Sequence, residues 1–278
     1  MKILYVAAEI SPFARMTYTA DLLRFLPASL QDKGFEIRIL LPKYGTINDR
    51  RNRLHEVIRL SGIEVEVGDK IETMKIKVAS IPNAKLQVYF LDNDTYFKRK
   101  GLFRKPDSEE FYEDNDERLA FYNKGVLETV IKLGWEPDII HCHDWPAGLT
   151  PLLVKTLYKD EKIFKNTKIV YNLHHPINEG NSDSARVLEL LGLPADTDID
   201  NLTEEGKVDL LKLGLKYSDH VVTGNYLKDE FDDIFKELGI KPEKIQGSPE
   251  DVSDKFAEYY RTISDVEHFK FTFDDQYK

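Results

Sequence analysis

The sequence predicts an α/β protein built on a Rossmann-like, doubly wound and mostly parallel sheet that carries a β insertion. Three observations predict it. A buried-type apolar run, MKILYVAAEI, begins at Met1. Apolar runs and helical patterns alternate from Pro137 to Leu238. Between them, from Arg53 to Asp92, the apolar period shortens to two.

The first run suits a strand buried on both faces. A loop with Pro12 leads to a helical pattern over Thr19 to Asp32, with Leu22, Leu23, Phe25, Leu26 and Leu30 on one side. Pro27 inside it is expected to kink or interrupt the helix, and Gly34 to end it. FEIRILLP (Phe35 to Pro42) is the second strand, which completes a right-handed βαβ unit. The period-two segments IEVEVGD and IETMKIKVASI form the insertion, at about 53–82, and KLQVYFLD returns to the main sheet. Arg104 to Arg118 is strongly acidic and reads as a solvated loop before a helix from Leu119 to Gly134. PDIIHCHDW and TKIVYNLHH are strands with polar ends, separated by the helix GLTPLLVKTLY. An Asn/Ser/Asp-rich stretch precedes a helix over Glu204 to Tyr217, the strand DHVVTG and a helix over Tyr226 to Leu238. A helix over Glu250 to Ile263 follows, and the tail FKFTFDDQYK alternates like an edge strand. Residues 1–240 read as the Rossmann-like domain, and 241–278 as a helix and tail rather than a second domain.

The 278 residues carry a net charge of −10, are 41% hydrophobic and include 15 Phe and 14 Tyr, which excludes a disordered chain. The acidity argues against a nucleic-acid partner. No apolar run is long enough to span a bilayer, and the single cysteine, Cys142, forms no internal disulfide, so a cytoplasmic protein without a membrane partner is expected.

Polar clusters at the C-terminal ends of parallel strands lie where such sheets bind ligands. Three are expected to converge: Glu9 to Asp21, His141 to Trp145, and His174 with His175. His141 and His143 share a strand face beside Asp144, but the spacing matches no metal motif, and neither metal nor cofactor is expected. Alternation turns Cys142 away from these histidines toward the packed face, as a buried inert thiol. No Gly-x-Ser-x-Gly elbow is present. The first loop, ISPFARMTYTAD, has no glycine and so makes a poor phosphate cradle, with only Arg15 as a cation. Thr17 or Thr19 suits a helix cap.

MKILYVAAEISPFA, LLPKY, VYFLDNDTYF, GLF, DNDERLAFYNKGVLE, LGWEPDIIHCHDWPAGL and LGLKYSDHVV resemble, in order, landmarks of the N-terminal half of bacterial glycogen and plant starch synthases. These are ADP-glucose-dependent glucosyltransferases of glycosyltransferase family 5, with the two-domain GT-B fold. The resemblance covers roughly Met1 to Phe235. It implies a sugar-nucleotide loop reading Lys-Thr-Gly-Gly-Leu-Ala-Asp; here Arg15 and Asp21 keep its charges, while Thr17 and Tyr18 replace its glycines. It implies sugar contacts for Asp144, Trp145 and His174, with His175 in place of an asparagine.

In the resembled family a second domain supplies the cations that hold the donor diphosphate, and this sequence shows no such segment after Leu238. The resemblance therefore implies a short, N-terminal-type homologue without turnover of its own, one that binds glucan or ADP-glucose and serves regulation. Two alternatives are a subunit completed by a partner protein carrying the C-terminal GT-B half, and a structural interaction protein with a dead cleft.

Overall fold

The computed structural model describes residues 1–82, 84, 86–174, 181–199, 202–224, 227 and 231–264. In chain order the elements are β1 (Lys2–Val6), α1 (Tyr18–Asp32), β2 (Glu36–Pro42), α2 (Asp49–Asn52), β3 (His55–Glu56), β4 (Ile63–Val67), β5 (Lys70–Ser80) and β6 (Gln87–Asp92). Next come α3 (Asp94–Phe97), α4 (Asn115–Leu133), β7 (Ile139–His143), α5 (Leu149–Lys155), β8 (Lys168–Leu173), β9 (Asn181–Asp183) and α6 (Ser184–Leu191). The last are β10 (Thr203–Glu204), β11 (Lys207–Asp209), α7 (Leu210–Tyr217), β12 (His220–Thr223), α8 (Phe231–Glu237), β13 (Glu243–Lys244) and α9 (Pro249–Ile263).

The main sheet runs β13-β12-β8-β7-β1-β2-β6-β5-β3. From β13 to β6 every pairing is parallel. β5 pairs antiparallel with β6 and with β4, so the period-two segment extends the sheet at one edge. The chain winds one way through β2 and β6 and the other way through β7, β8 and β12. Strand order therefore reverses at the β1/β7 boundary, where such sheets open a crevice beyond the strand ends. β1 is apolar because both its faces are covered: Ile3, Leu4, Tyr5 and Val6 are fully buried.

Four local expectations are corrected. α1 runs unbroken through Pro27, whose ring is buried on the same face as Leu22, Leu23, Leu26 and Leu30. Phe25, expected on that face, is instead 54% exposed. Packing of that face outweighs the missing backbone donor. The acidic stretch is not all solvated loop. α4 starts at Asn115, and its first turn buries Glu117 and Arg118. Glu117 accepts from Lys70 at 2.7 Å and from Arg186 at 2.7 Å, which makes its burial tolerable. α7 begins only at Leu210, because Glu205 and Gly206, both at positive φ, turn the chain into a β10–β11 hairpin. α8 is described only from Phe231. The tail from residue 265 onward lies outside the described residues.

α9 packs on α1 and reaches the sheet. Its Tyr260 is fully buried, with its hydroxyl 2.9 Å from Tyr5 Oη and 2.5 Å from His141 Nδ1. At the surface, Lys33 pairs with Asp254 at 2.6 Å, with the aspartate 74% exposed. The two contacts differ in consequence. Tyr260→Phe leaves two polar groups unpaired in the core and is expected to lower the unfolding free energy by about 2 kcal/mol. Asp254→Ala is expected to cost less than about 1 kcal/mol. Urea denaturation midpoints of the two variants check this ranking.

Candidate functional site

A cavity of about 350 Å³ opens at the β1/β7 switch point. Ala7, Ala8 and Glu9 come to it from the end of β1, and His143 and Asp144 from the end of β7. Met16, Thr17 and Thr19 arrive from the start of α1, and Leu102, Phe103 and Arg104 from the loop before α4. Trp145 and Pro146 complete the wall. Its volume is that of a small-molecule pocket.

One side is aromatic. Trp145 meets Phe103 with ring centroids 4.8 Å apart and Phe111 edge-on at 6.5 Å. Phe103 is held from behind by Arg118, a buried guanidinium that donates to the carbonyls of Tyr96 (2.7 Å) and Leu102 (2.6 Å) and to Asn115 Oδ1 (2.6 Å). The same guanidinium lies 5.7 Å from the Phe103 ring centroid. Arg104 stacks on Phe111 at 4.0 Å and donates to the Glu109 carbonyl.

The other side holds two carboxylates. Glu9 accepts from the Met16 and Thr17 amides (2.5 and 2.8 Å) and from the Thr17 hydroxyl (2.5 Å). Thr17 in turn caps α1 by accepting from Thr19 N at 3.1 Å. The Met16 and Thr17 amides, which lead into α1, are thus taken by an internal anion. Burial lifts the Glu9 carboxyl above the usual carboxylate range; the Thr17 and Met16 bonds oppose this and the Asp144 charge adds to it. Asp144 accepts from His174 N (2.8 Å) and the Thr19 hydroxyl (2.9 Å). Its backbone lies at φ 55°, ψ −178°, a strained conformation for a residue with a side chain.

Behind this wall is a layer of buried imidazoles. His141 and His143 have ring centroids 4.1 Å apart, and His143 Nδ1 lies 2.9 Å from His174 Nε2. Burial drives all three proton affinities down, that of His174 to about 3. Cys142 is buried with its thiol raised by burial, as an inert core group. Among the described residues, no group of three or more His, Cys, Asp or Glu side chains is arranged to hold a metal ion.

The profile of the starch synthase catalytic domain family matches residues 2–234. The chain belongs to that family. The glycogen synthase of Chlorobium luteolum is 50% identical over 179 residues, covering 64% of this chain and 37% of the relative. That of Chlorobaculum tepidum is 44% identical over 234 residues, covering 84% and 48%. The chain thus spans about half, or less, of the length of the curated relatives it matches. In fold it is similar to the catalytic domain of starch synthase IV from Arabidopsis thaliana, solved with ADP and acarbose, at a TM-score of 0.73 and 22% identity. That likeness covers 88% of this chain and 51% of the other. The GT-B-type α/β architecture expected from the sequence is therefore present.

Within this starch synthase-type domain, Asp144 and Trp145 line the cavity. His174 sits behind it, 3% exposed and turned onto His143. Arg15 and Asp21 pair with each other at 2.6 Å outside the cavity wall, and Ser11 also donates to Asp21 (2.7 Å). His175 lies outside the described residues. Sequence reading did not single out Phe103 and Arg118 as site builders. Glu9 and Thr19 fell within the Glu9 to Asp21 cluster expected at this rim, with a helix cap as the only role foreseen for Thr19.

The imidazole layer yields a prediction. Below about pH 6.5 the unfolded chain protonates these histidines, while the native chain, with depressed affinities, does not. Stability therefore falls as pH drops, over a window that for His174 extends to about 3. Each histidine contributes up to about 1.4 kcal/mol per pH unit. Urea midpoints measured from pH 7.5 to 5 are expected to show this loss, and His174→Gln is expected to remove one histidine's share of the slope.

Proposed function

We propose that this glycogen synthase-like chain binds an α-glucan in the cavity between β1 and β7 and does not by itself transfer glucose from ADP-glucose. The observation that carries the reading is the cavity's division into an aromatic wall, Trp145 with Phe103, and a carboxylate wall, Glu9 with Asp144. Aromatic faces suit the apolar faces of sugar rings, and carboxylates accept from their hydroxyls. Glucosyl transfer from a nucleotide sugar needs positive charge on the departing diphosphate. Here the Met16 and Thr17 amides that lead into α1 already bind Glu9, and two carboxylates face the space. Such a domain would serve as a glucan-binding, regulatory homologue.

A second reading is favoured by the half-length match to the curated relatives. In it the chain is a glucosyltransferase subunit whose cleft is closed by a partner carrying the C-terminal GT-B half.

Two measurements test these readings. The isolated 278-residue chain is expected to incorporate labelled glucose from ADP-glucose into glycogen no faster than a boiled control. Activity appearing only when a C-terminal GT-B half is added would favour the subunit reading, and activity of the chain alone would overturn the first. Calorimetric titration is expected to give heat with maltoheptaose and none with ADP-glucose. Trp145→Ala is expected to weaken maltoheptaose binding about tenfold, roughly 1.4 kcal/mol, and Trp145→Phe less. No heat with either ligand would leave the cavity without its assigned role.

A further inference from the structure

The two rings of the aromatic wall, Trp145 and Phe103, come from segments far apart in sequence, and both segments are tied to α4. Arg118 donates through Nε to the Tyr96 carbonyl and through its terminal nitrogens to Asn115 Oδ1 and the Leu102 carbonyl. Asn115 Nδ2 donates in turn to the Phe103 carbonyl at 2.9 Å, which also accepts from Tyr112 N at 3.1 Å. Both peptide groups that flank the Phe103 side chain are therefore held. Asn123 does the corresponding work for Trp145. Its Nδ2 donates to the Pro146 carbonyl at 3.0 Å, and its Oδ1 accepts from the Thr150 hydroxyl at 2.6 Å, so the turn after Trp145 is fastened to α4 and α5 together. Arg118 and Asn123 are both buried, and neither belongs to the cavity wall.

From this geometry we infer that α4 is the template that fixes the spacing of the Trp145 and Phe103 rings, with Arg118 and Asn123 as positioning residues that set how tightly an α-glucan binds without touching it. The inference rests on the cavity being a glucan site and deepens that reading. A guanidinium buried among the Phe97, Phe103 and Tyr112 rings is costly to desolvate, and its three hydrogen bonds end on neutral oxygens. What the charge supplies is shape: a rigid planar fork that meets three acceptors in fixed directions, which a flexible lysine stem does not reproduce. The two rings stand 4.8 Å apart, so a small shift of either segment alters the face offered to a sugar. Rings already in place cost the complex nothing to order, whereas rings that settle only on binding lower the affinity. Loosening the hold of α4 on one ring therefore weakens binding through that ring alone.

Double-mutant cycles on affinity separate this role from plain stability. The full 278-residue chain and its variants are titrated with maltoheptaose by calorimetry, well below their melting temperatures. Arg118→Lys keeps the charge and loses the fork. It is expected to weaken binding about fivefold in the native background, and less than about twofold once Phe103→Ala has removed the ring. Asn123→Ala, inside a helix where alanine is favoured, is expected to behave in the same way against a Trp145→Ala background. Both variants melt lower with or without the ring, as any buried polar loss would; only a positioning role makes the loss of affinity depend on the ring. Asn115→Ala, at a half-buried position in the first turn of α4, and Thr150→Val loosen the same two clamps from their far ends. They take the place of Arg118→Lys and Asn123→Ala where those do not fold. At either ring, a folded variant that binds like the native chain, or loses the same factor with and without the ring, overturns the inference and leaves the glucan reading standing. If no chain binds maltoheptaose, both fall.

Discussion

The backbone of Asp144, at φ 55°, ψ −178°, is the constraint on which the site depends. A side-chain-bearing residue held there costs on the order of 1–3 kcal/mol, so its neighbours must hold it in place. They do so from three directions. From β8, the Asn172 carbonyl accepts the Asp144 amide at 3.1 Å, and the Tyr171 hydroxyl donates to the Asp144 carbonyl at 2.8 Å. From the start of α1, Thr19 donates to the carboxylate. From the turn that follows, the Ala147 amide donates to the same carbonyl at 3.2 Å. The sharp exit from β7 swings Trp145 across to Phe103 instead of continuing the strand. A glycine would sit there without strain, but it would lose the carboxylate that ties His174 N and Thr19 to one point.

The layer beneath that turn is polar yet behaves as core. Tyr5, His141, His143, His174 and Tyr260 are 3% exposed or less. Three contacts join them, Tyr5 with Tyr260, Tyr260 with His141, and His143 with His174, while His141 Nε2 and His143 Nε2 meet no partner among the described residues. Imidazoles stacked this closely in a dry interior stay neutral, since a charge on one would be buried without a counter-ion. They act as rigid spacers that carry α9 and the cavity wall on one array. The C-terminal helix and the site thus share a support although they are far apart in sequence.

Much of the fold was legible because the apolar periods are strong. β1, β2, β6, β7, β8 and β12 fall where their apolar runs predict, and the convergence of the three polar clusters follows from strands that are parallel. The mismatches have local causes. An acidic stretch looks solvated until Arg118 is seen inside it, bonded to three oxygens, which no composition rule anticipates. The helical pattern from Glu204 conceals a hairpin because Glu205 takes a positive φ beside Gly206. Pro27 signals a break that the packed face of α1 overrides. Of the cavity-lining residues, Asp144 and Trp145 were legible from their place at a strand end. Glu9 and Thr19 lay in the first predicted cluster, but their contacts were not legible, since the sequence does not pair them with their partners.

The same contacts explain how a charged pair of residues can leave the cavity wall without leaving the loop. Arg15 is 69% exposed, and its guanidinium is spent on Asp21, whose other oxygen takes the Ser11 hydroxyl. That surface pair adds little stability, but it holds the cation off the cavity while Glu9 fills the amides that a free anion would seek. An anion arriving before α1 therefore meets the Met16 and Thr17 amides already bonded to Glu9 and two carboxylates nearby. What the space still offers is carboxylates on one wall and, on the other, aromatic faces with the Arg104 guanidinium. Chemical selectivity at this switch point is thus written in how the first loop satisfies itself, more than in which charges it carries.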